Sequence, residues 1–314
     1  MSSKTRGAFT LVELMVTIAM LAMLASFVLM AVFGAQQQAK KSRTQAQITK
    51  LHDVLMRKWD EYRTRRVPIN TASMDPETAA VARLQAIREW QRLELPDRWN
   101  DVKSPEADPV VLGTRPAVSQ AYVEYYNTVN PSDIYQAAEC LYMIVVIGNI
   151  DDGAGRELFN EDEIGDIDND GAPEFHDAWG NPIMFLRWAP GFVSNTADPN
   201  IGFLSDLQEA DPVNSHDPFD PRKTDDDAFA LYPLIYSAGP DGKANATGAT
   251  GYDIELASSF IHGGGTSPNF YDPYVDPSTA GGDPAAEPMG TPVDPDGNGR
   301  EHYDNIHNHL LEAR

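Results

Sequence analysis

The run from Phe9 to Phe33, FTLVELMVTIAMLAMLASFVLMAVF, limits what this chain can fold into more than any other stretch. Its last twenty residues, Leu14 to Phe33, carry no charge, no proline and no glycine. At ~1.5 Å per residue they make ~30 Å of helix, enough to cross the hydrocarbon of a bilayer. A secretory signal peptide has a shorter apolar region with small residues after it. Here the small pair, Gly7 and Ala8, comes before the run. Lys4 and Arg6 precede it and Lys40, Lys41 and Arg43 follow it, so positive charge alone does not orient it. Glu13 needs a reason of its own. A carboxylate in an apolar helix costs ~3 kcal/mol unless it reaches the headgroups or meets a partner.

Past Gly34, residues 35–66 are rich in Gln, Ala, Lys and Arg, all good helix formers. Ile48, Leu51, Val54, Leu55, Trp59 and Tyr62 recur at helical spacing and make one apolar stripe. The pattern predicts one helix from about Phe9 to Arg65, ended before Pro68. It is apolar all round over 9–33 and amphipathic over 34–66, with its stripe on a globular head at 67–256.

Within that head, Asp75-Pro76-Glu77 reads as a helix start, with Asp as cap and Pro at the first position. That helix runs to about Leu93, with Ala80, Leu84, Ile87 and Trp90 inward, and Pro96 ends it. Two more helices are expected over 118–129 and 132–147, the second capped by Ser132. Its last turns, LYMIVVIG, suit a short buried strand equally well. Strands over 183–188 and 231–237 should pair antiparallel. Residues 257–314 are dominated by Gly, Pro, Asp and Ser and read as an irregular tail. The fold class is α+β: a long N-terminal transmembrane spine helix, further helices, a small antiparallel sheet and an irregular C-terminal tail.

A net charge of −23 argues against nucleic-acid binding through a basic face. The single cysteine, Cys140, permits no intramolecular disulfide and reads as a small core residue.

Lys4, Arg6, Gly7 and Ala8 leading into Phe9-Thr10-Leu11-Val12-Glu13-Leu14 resemble the N-terminal signal of type IV pilins and type II secretion pseudopilins. The resemblance implies a leader, residues 1–8, removed between Ala8 and Phe9 by a prepilin peptidase. It also implies methylation of the new N-terminus, and Glu13 as the fifth residue of the mature chain, acting in assembly. The family usually has Gly immediately before the cut; here Ala8 stands there. A second stretch, Asp177-Ala178-Trp179-Gly180-Asn181-Pro182 followed by Tyr236-Ser237-Ala238-Gly239-Pro240-Asp241-Gly242, is similar to the C-terminal half of the major pseudopilin. That likeness implies a calcium site at Asp241 and Asp253.

Independently, residues 166–177 have the spacing of a calcium loop. Carboxylates stand at the first, third and fifth places (Asp166, Asp168, Asp170) and glycine at the sixth. The carbonyl of Ala172, the carboxylate of Glu174 and that of Asp177 fill the seventh, ninth and twelfth. Ca²⁺ is the expected ion. The rival reading is an acidic turn in an acidic protein. Asp294-Pro295-Asp296-Gly297-Asn298-Gly299 repeats the spacing weakly, and His302, His307 and His309 follow; a solvated tail is preferred there over a zinc site. His262 and the glycines after it lack a nucleophile elbow, and no metalloprotease, phosphate-loop or dinucleotide motif appears.

The expected function is therefore structural, not enzymatic. The resemblance implies a subunit of a type II secretion pseudopilus or type IV pilus-like filament, held in the inner membrane with its head periplasmic or extracellular. Its partners would be the prepilin peptidase and other pilin-like subunits. Two alternatives stand beside it: a membrane-tethered calcium-binding or enzymatic domain that never polymerises, and a minor pilin of a DNA-uptake or adhesion pilus.

Overall fold

The computed structural model describes residues 10–103, 108–148, 155–193, 205–242, 273–274, 289–291 and 305–310. The chain divides into two units, Met1–Arg43 and Thr44–Arg314. Helix α1 (Leu11–Thr64) belongs to the first through its apolar part and to the second from Thr44 onward.

In the first unit α1 is long and apolar enough to cross a membrane, and none of its apolar window is buried inside the fold. Leu21, Phe27, Leu29 and Met30 are among the large side chains it leaves uncovered. Its few hydroxyls satisfy themselves within the helix: Thr17 Oγ1 donates to Leu14 O and Ser26 Oγ to Ala22 O, both at 2.8 Å. Such internal bonding is what an apolar solvent demands of polar groups. Gly34 lies within the helix and does not end it.

In the second unit the expected stripe is buried: Ile48, Leu51, Val54, Leu55, Trp59 and Tyr62 enter the main core. Helix α2 (Pro76–Glu94) starts as the sequence predicts. Asp75 Oδ1 accepts from the amides of Glu77 and Thr78 at 3.1 and 3.0 Å, and Pro76 takes the first helical position. Leu84 and Ile87 are buried, while Ala80 and Trp90 are half-covered. The C-terminal half of α2 is also enclosed on its polar side, where Arg88, Glu89, Gln91, Arg92 and Glu94 are buried. The two acids there survive because each has a built environment. Glu89 accepts from the amides of Val110, Val111 and Leu112. Glu94 holds Arg65 bidentately at 2.7 and 2.8 Å, Lys58 at 2.8 Å, the Tyr62 hydroxyl and the Trp90 indole N–H.

Helix α3 (Ala117–Val129) ends at Asn130 in the left-handed conformation. Helix α4 (Gln136–Tyr142) starts four residues later than expected, and Ser132 is not its cap. Ser132 gives its backbone N–H and its hydroxyl to a different element. The apolar stretch after α4 forms neither more α-helix nor a strand but one π-helical turn, Met143–Ile147, closed by Gly148 N–H on Met143 O. A Cβ at Gly148 would collide with the Tyr122 hydroxyl and Ile144 O, so the turn can end there only on glycine.

Among the described residues, two small antiparallel sheets complete the head. Strands β1 (Ile164–Gly165) and β2 (Glu174–Phe175) form a hairpin around the acidic loop. Strands β3 (Met184–Leu186) and β4 (Leu234–Ser237) pair as predicted, Met184 facing Tyr236 and Leu186 facing Leu234. A third strand, β5 (Ile306–His307), adds to the free edge of β4 and comes from the segment expected to be irregular. Asn308 locks it: its Oδ1 accepts from Ile235 N at 2.8 Å and its Nδ2 donates to Pro233 O at 2.9 Å.

Candidate functional site

Two places carry the chemistry singled out in the sequence. The first is the start of α1. Thr10 precedes the first helical residue, Leu11, and Glu13 is the third. The Glu13 amide donates to Thr10 Oγ1 at 3.2 Å, and Glu13 Oε2 accepts from the Thr10 amide at 2.9 Å and its hydroxyl at 2.8 Å. This reciprocal pair is a capping box. Glu13 thus has a local structural task, satisfying an amide that helix geometry leaves without a partner. Ala8 and Phe9 lie outside the described residues.

The second is the hairpin between β1 and β2. Asp166 braces the turn, its Oδ1 and Oδ2 accepting from the amides of Asp170 and Gly171 at 3.1 and 3.0 Å. Asn169 and Gly171 adopt positive φ, which folds the loop sharply enough to turn Asp168 and Asp170 the same way. There they meet Glu139 of α4: one oxygen from each of the three lies within 4.8 Å of the others, an acidic cluster able to hold a metal ion. Glu139 is buried; Asp168 and Asp170 are half-buried. Ser132 closes the cluster from above, its hydroxyl donating to Asp168 Oδ2 at 2.8 Å and its amide to Asp170 Oδ2. Glu139 Oε2 accepts from the Trp99 indole at 2.9 Å.

The electrostatics follow from burial without counter-charge. Burial, reinforced by Asp170, pushes the Glu139 carboxyl up to about 9, against the Trp99 hydrogen bond. Burial likewise raises Glu174 to about 8, against the Ile167 amide it accepts from at 2.6 Å.

The remaining expected ligands lie apart in role. Asp177 works in the next turn: its Oδ1 accepts from Trp179 N and Asn181 N at 2.7 and 2.9 Å, and its Oδ2 from the Ser237 hydroxyl at 2.6 Å. Asn181 Nδ2 reaches Gly239 O at 2.8 Å. The two segments that resemble the major pseudopilin are therefore bonded to each other. Ala172 is buried and its amide donates to Asp170 Oδ1 at 2.8 Å. The Asp241 side chain, all of Asp253, His262, His302 and residues 294–299 lie outside the described residues. Sequence reasoning missed Glu139 as a partner of the loop. Its one signal was a lone charge in the apolar run Ala137-Ala138-Glu139-Cys140-Leu141.

The histidines near residue 309 are packed individually. His307 lies edge-on to Phe192, and His309 is buried with Ser205 Oγ 3.0 Å from its Nδ1. Burial first, then His307 and His52, hold His309 neutral and push its pKa down to about 3, although hydrogen bonds to Pro233 and Tyr232 carbonyls oppose them. The unfolded chain protonates this ring near 6.5 and the folded chain does not. Its contribution is thus complete above about pH 6.5 and declines on acidification, by ~1.4 kcal/mol per pH unit. Glu139 and Glu174, raised by folding, act in the opposite direction. The difference in stability between wild type and His309→Gln isolates the histidine. It should shrink by ~2 kcal/mol between pH 7.5 and 5, read from urea midpoints. An unchanged difference would mean the ring titrates normally.

A cleft of about 770 Å³ also opens on the head, lined by Arg65, Arg66, Arg83 and Arg222 with apolar and hydroxyl side chains and one buried acid, Asp220. Its chemistry suits anions.

Comparison with known proteins gives one match: the family model described as the prokaryotic N-terminal methylation motif covers residues 3–29. No curated protein and no solved structure matches the chain.

Proposed function

We propose that the protein is a structural subunit of a pilin-like filament, closest in kind to a type II secretion pseudopilin, processed by a prepilin peptidase and held in the inner membrane until assembly. The observation that carries this is the methylation motif at residues 3–29, seated on a helix that is apolar all round and capped at Thr10 and Glu13. A plain anchor needs an apolar helix; it does not need small residues before Phe9 or a carboxylate five residues into the mature chain. The chain lengths of the parts follow from the same reading: leader 1–8, membrane segment 9–33, amphipathic spine 34–66, head 67–256 and tail 257–314. The head lies outside the cytoplasm, its partners are other pilin-like subunits, and its role is mechanical, not catalytic. Ca²⁺ is the proposed ion for the acidic loop, a hard cation suited to all-oxygen donors. The bonded Trp179-Gly180-Asn181-Pro182 and Tyr236-Ser237 segments favour the pseudopilin over a minor pilin of an adhesion pilus.

Intact-mass measurement of membrane-extracted protein is the test. The expected mass lacks Met1 to Ala8 and carries one added methyl group. A mature protein that still begins at Met1 would overturn the filament proposal.

A further inference from the structure

We infer that Glu139, Asp168 and Asp170 together ligate one divalent cation of the calcium class, and that this ion staples the start of α4 to the β1–β2 hairpin. The inference rests on the calcium reading above and changes its ligand set. It adds a carboxylate from a separate helix and leaves Asp177 to the turn it braces. Its ligand set does not include Asp241 or Asp253.

Clustered acids alone are common, and what distinguishes this cluster is the state of its oxygens. Glu139 is almost fully buried, yet its Oε1 has no hydrogen-bond partner; Asp168 Oδ1 is also buried without one, and Glu174 Oε2 beside them is a third. Among the described residues no lysine, arginine or histidine forms an ion pair with any of these four carboxylates. Buried carboxylate oxygens without donors are expensive, since each loses its water and gains nothing. Glu89, Glu94 and Asp177, by contrast, are held by amides, hydroxyls or cations. The donors around the cluster hold it open: Ser132 takes one oxygen of Asp168 and one of Asp170, and Trp99 takes one of Glu139, which leaves Asp168 Oδ1 and Glu139 Oε1 unbonded.

The donor chemistry selects the ion. All ligand atoms are carboxylate oxygens, with no imidazole or thiolate in the group, so a hard cation is favoured over zinc or copper. Calcium accepts six to eight oxygens in irregular geometry and tolerates carboxylates arriving from a loop and a helix. Magnesium demands a near-ideal octahedron and keeps its waters, which a buried carboxylate such as Glu139 does not favour.

The staple explains why α4 starts late. Residues 132–135 are not helical because Ser132 is committed to Asp168 and Asp170, and Glu139 sits one turn further along. An ion there would tie the segment before α4, α4 itself and the hairpin at a single point.

Terbium provides the test, because it replaces calcium and emits when a nearby indole is excited. Trp99 donates to Glu139, so it would lie within a few ångströms of the ion. Full-length protein in detergent micelles, freed of metal with chelator, should give indole-sensitised terbium emission that calcium displaces. Trp99→Phe should remove most of the emission while calcium still raises the melting temperature. Glu139→Gln keeps the shape and an oxygen for Trp99, and should weaken calcium binding roughly tenfold or more. Asp168→Asn, on the more exposed side, repeats the test should Glu139→Gln fold poorly. Asp253→Asn should bind as wild type does. Absence of calcium-displaceable emission would overturn the site. Wild-type affinity in both Glu139→Gln and Asp168→Asn would overturn this ligand set while sparing calcium elsewhere. Neither result bears on leader removal, which the mass measurement decides separately.

Discussion

Cells producing Glu13→Gln should contain mature protein in the membrane at normal levels and almost no cross-linked oligomers. The substitution separates the observed cap from the assembly role proposed for the same side chain. Glutamine serves in a capping box as well as glutamate does, so the bonds between residue 13 and Thr10 that begin α1 are kept. What disappears is the charge. In a filament of side-by-side apolar helices, the proposed partner of Glu13 is the amine of mature Phe9 on the adjoining subunit. Only one axial stagger brings these together, so the pair would set register. Losing ~3 kcal/mol at each contact lowers association about 100-fold, enough to empty an oligomer ladder. Glu13→Ala removes the cap as well and should weaken the start of the helix by a further ~1 kcal/mol. Normal ladders from Glu13→Gln would show that the carboxylate serves only its own helix, and would favour the tethered domain that does not polymerise.

Arg187→Met should be the most damaging single change in the head, costing ~3–5 kcal/mol of stability. The guanidinium is completely buried. It donates to Asp101 Oδ2 at 2.8 Å and to Leu95 O at 2.9 Å, with Asp97 Oδ1 at 3.6 Å, and the Arg187 amide donates to Asp97 Oδ2 at 3.0 Å. Arg92 approaches the other oxygen of Asp101 at 3.9 Å. Methionine fills the volume but removes the cation shared by both carboxylates, leaving Asp97 with Arg98 at 3.2 Å and Asp101 with Arg92 at 3.9 Å. Such a network contributes little net energy when whole and costs a great deal when broken, because the buried survivors lose a partner without regaining water. Urea denaturation of the full chain, followed by indole fluorescence, should show a lowered midpoint with an unchanged slope. An unaltered midpoint would mean that Arg92 and Arg98 compensate the two acids.

How far the sequence reached depends on the range of the interaction. The spine, the Asp75 cap, the buried stripe from Ile48 to Tyr62 and the β3–β4 pairing rest on local patterns, and they appear where those patterns put them. The acidic turn was legible for the same reason, since it needs Asp166, Asn169 and Gly171 at fixed spacing, but the two-residue strands β1 and β2 that flank it were not. Glu139 was not, because nothing near it in sequence says that a loop some thirty residues on will fold against it. The same holds for Ser132, whose pattern suits a helix cap but whose donors go to Asp168 and Asp170. The enclosed polar side of α2 reads as solvated from its letters; Val110, Arg65, Lys58 and Asp217, arriving from elsewhere, make its burial tolerable. Strand β5 is two residues long and surrounded by turn formers, so no periodicity marks it.

That late strand has a temporal consequence. Asn308 also touches His52 of α1 at 3.0 Å, across 256 positions of chain. Contacts so remote in sequence slow folding, since a large loop must close before any of them forms. Between completion of β4 at Ser237 and arrival of β5 at Ile306, a ribosome adding ~5–20 residues per second needs roughly 4–14 s. Throughout that interval β4 presents an unpaired edge, including the amide of Ile235 and the carbonyl of Pro233 that Asn308 later occupies. An open edge of this kind is a template for pairing with any neighbouring chain. Under the filament proposal, a subunit that associates through its spine gains from having that edge sealed by β5 before neighbours meet.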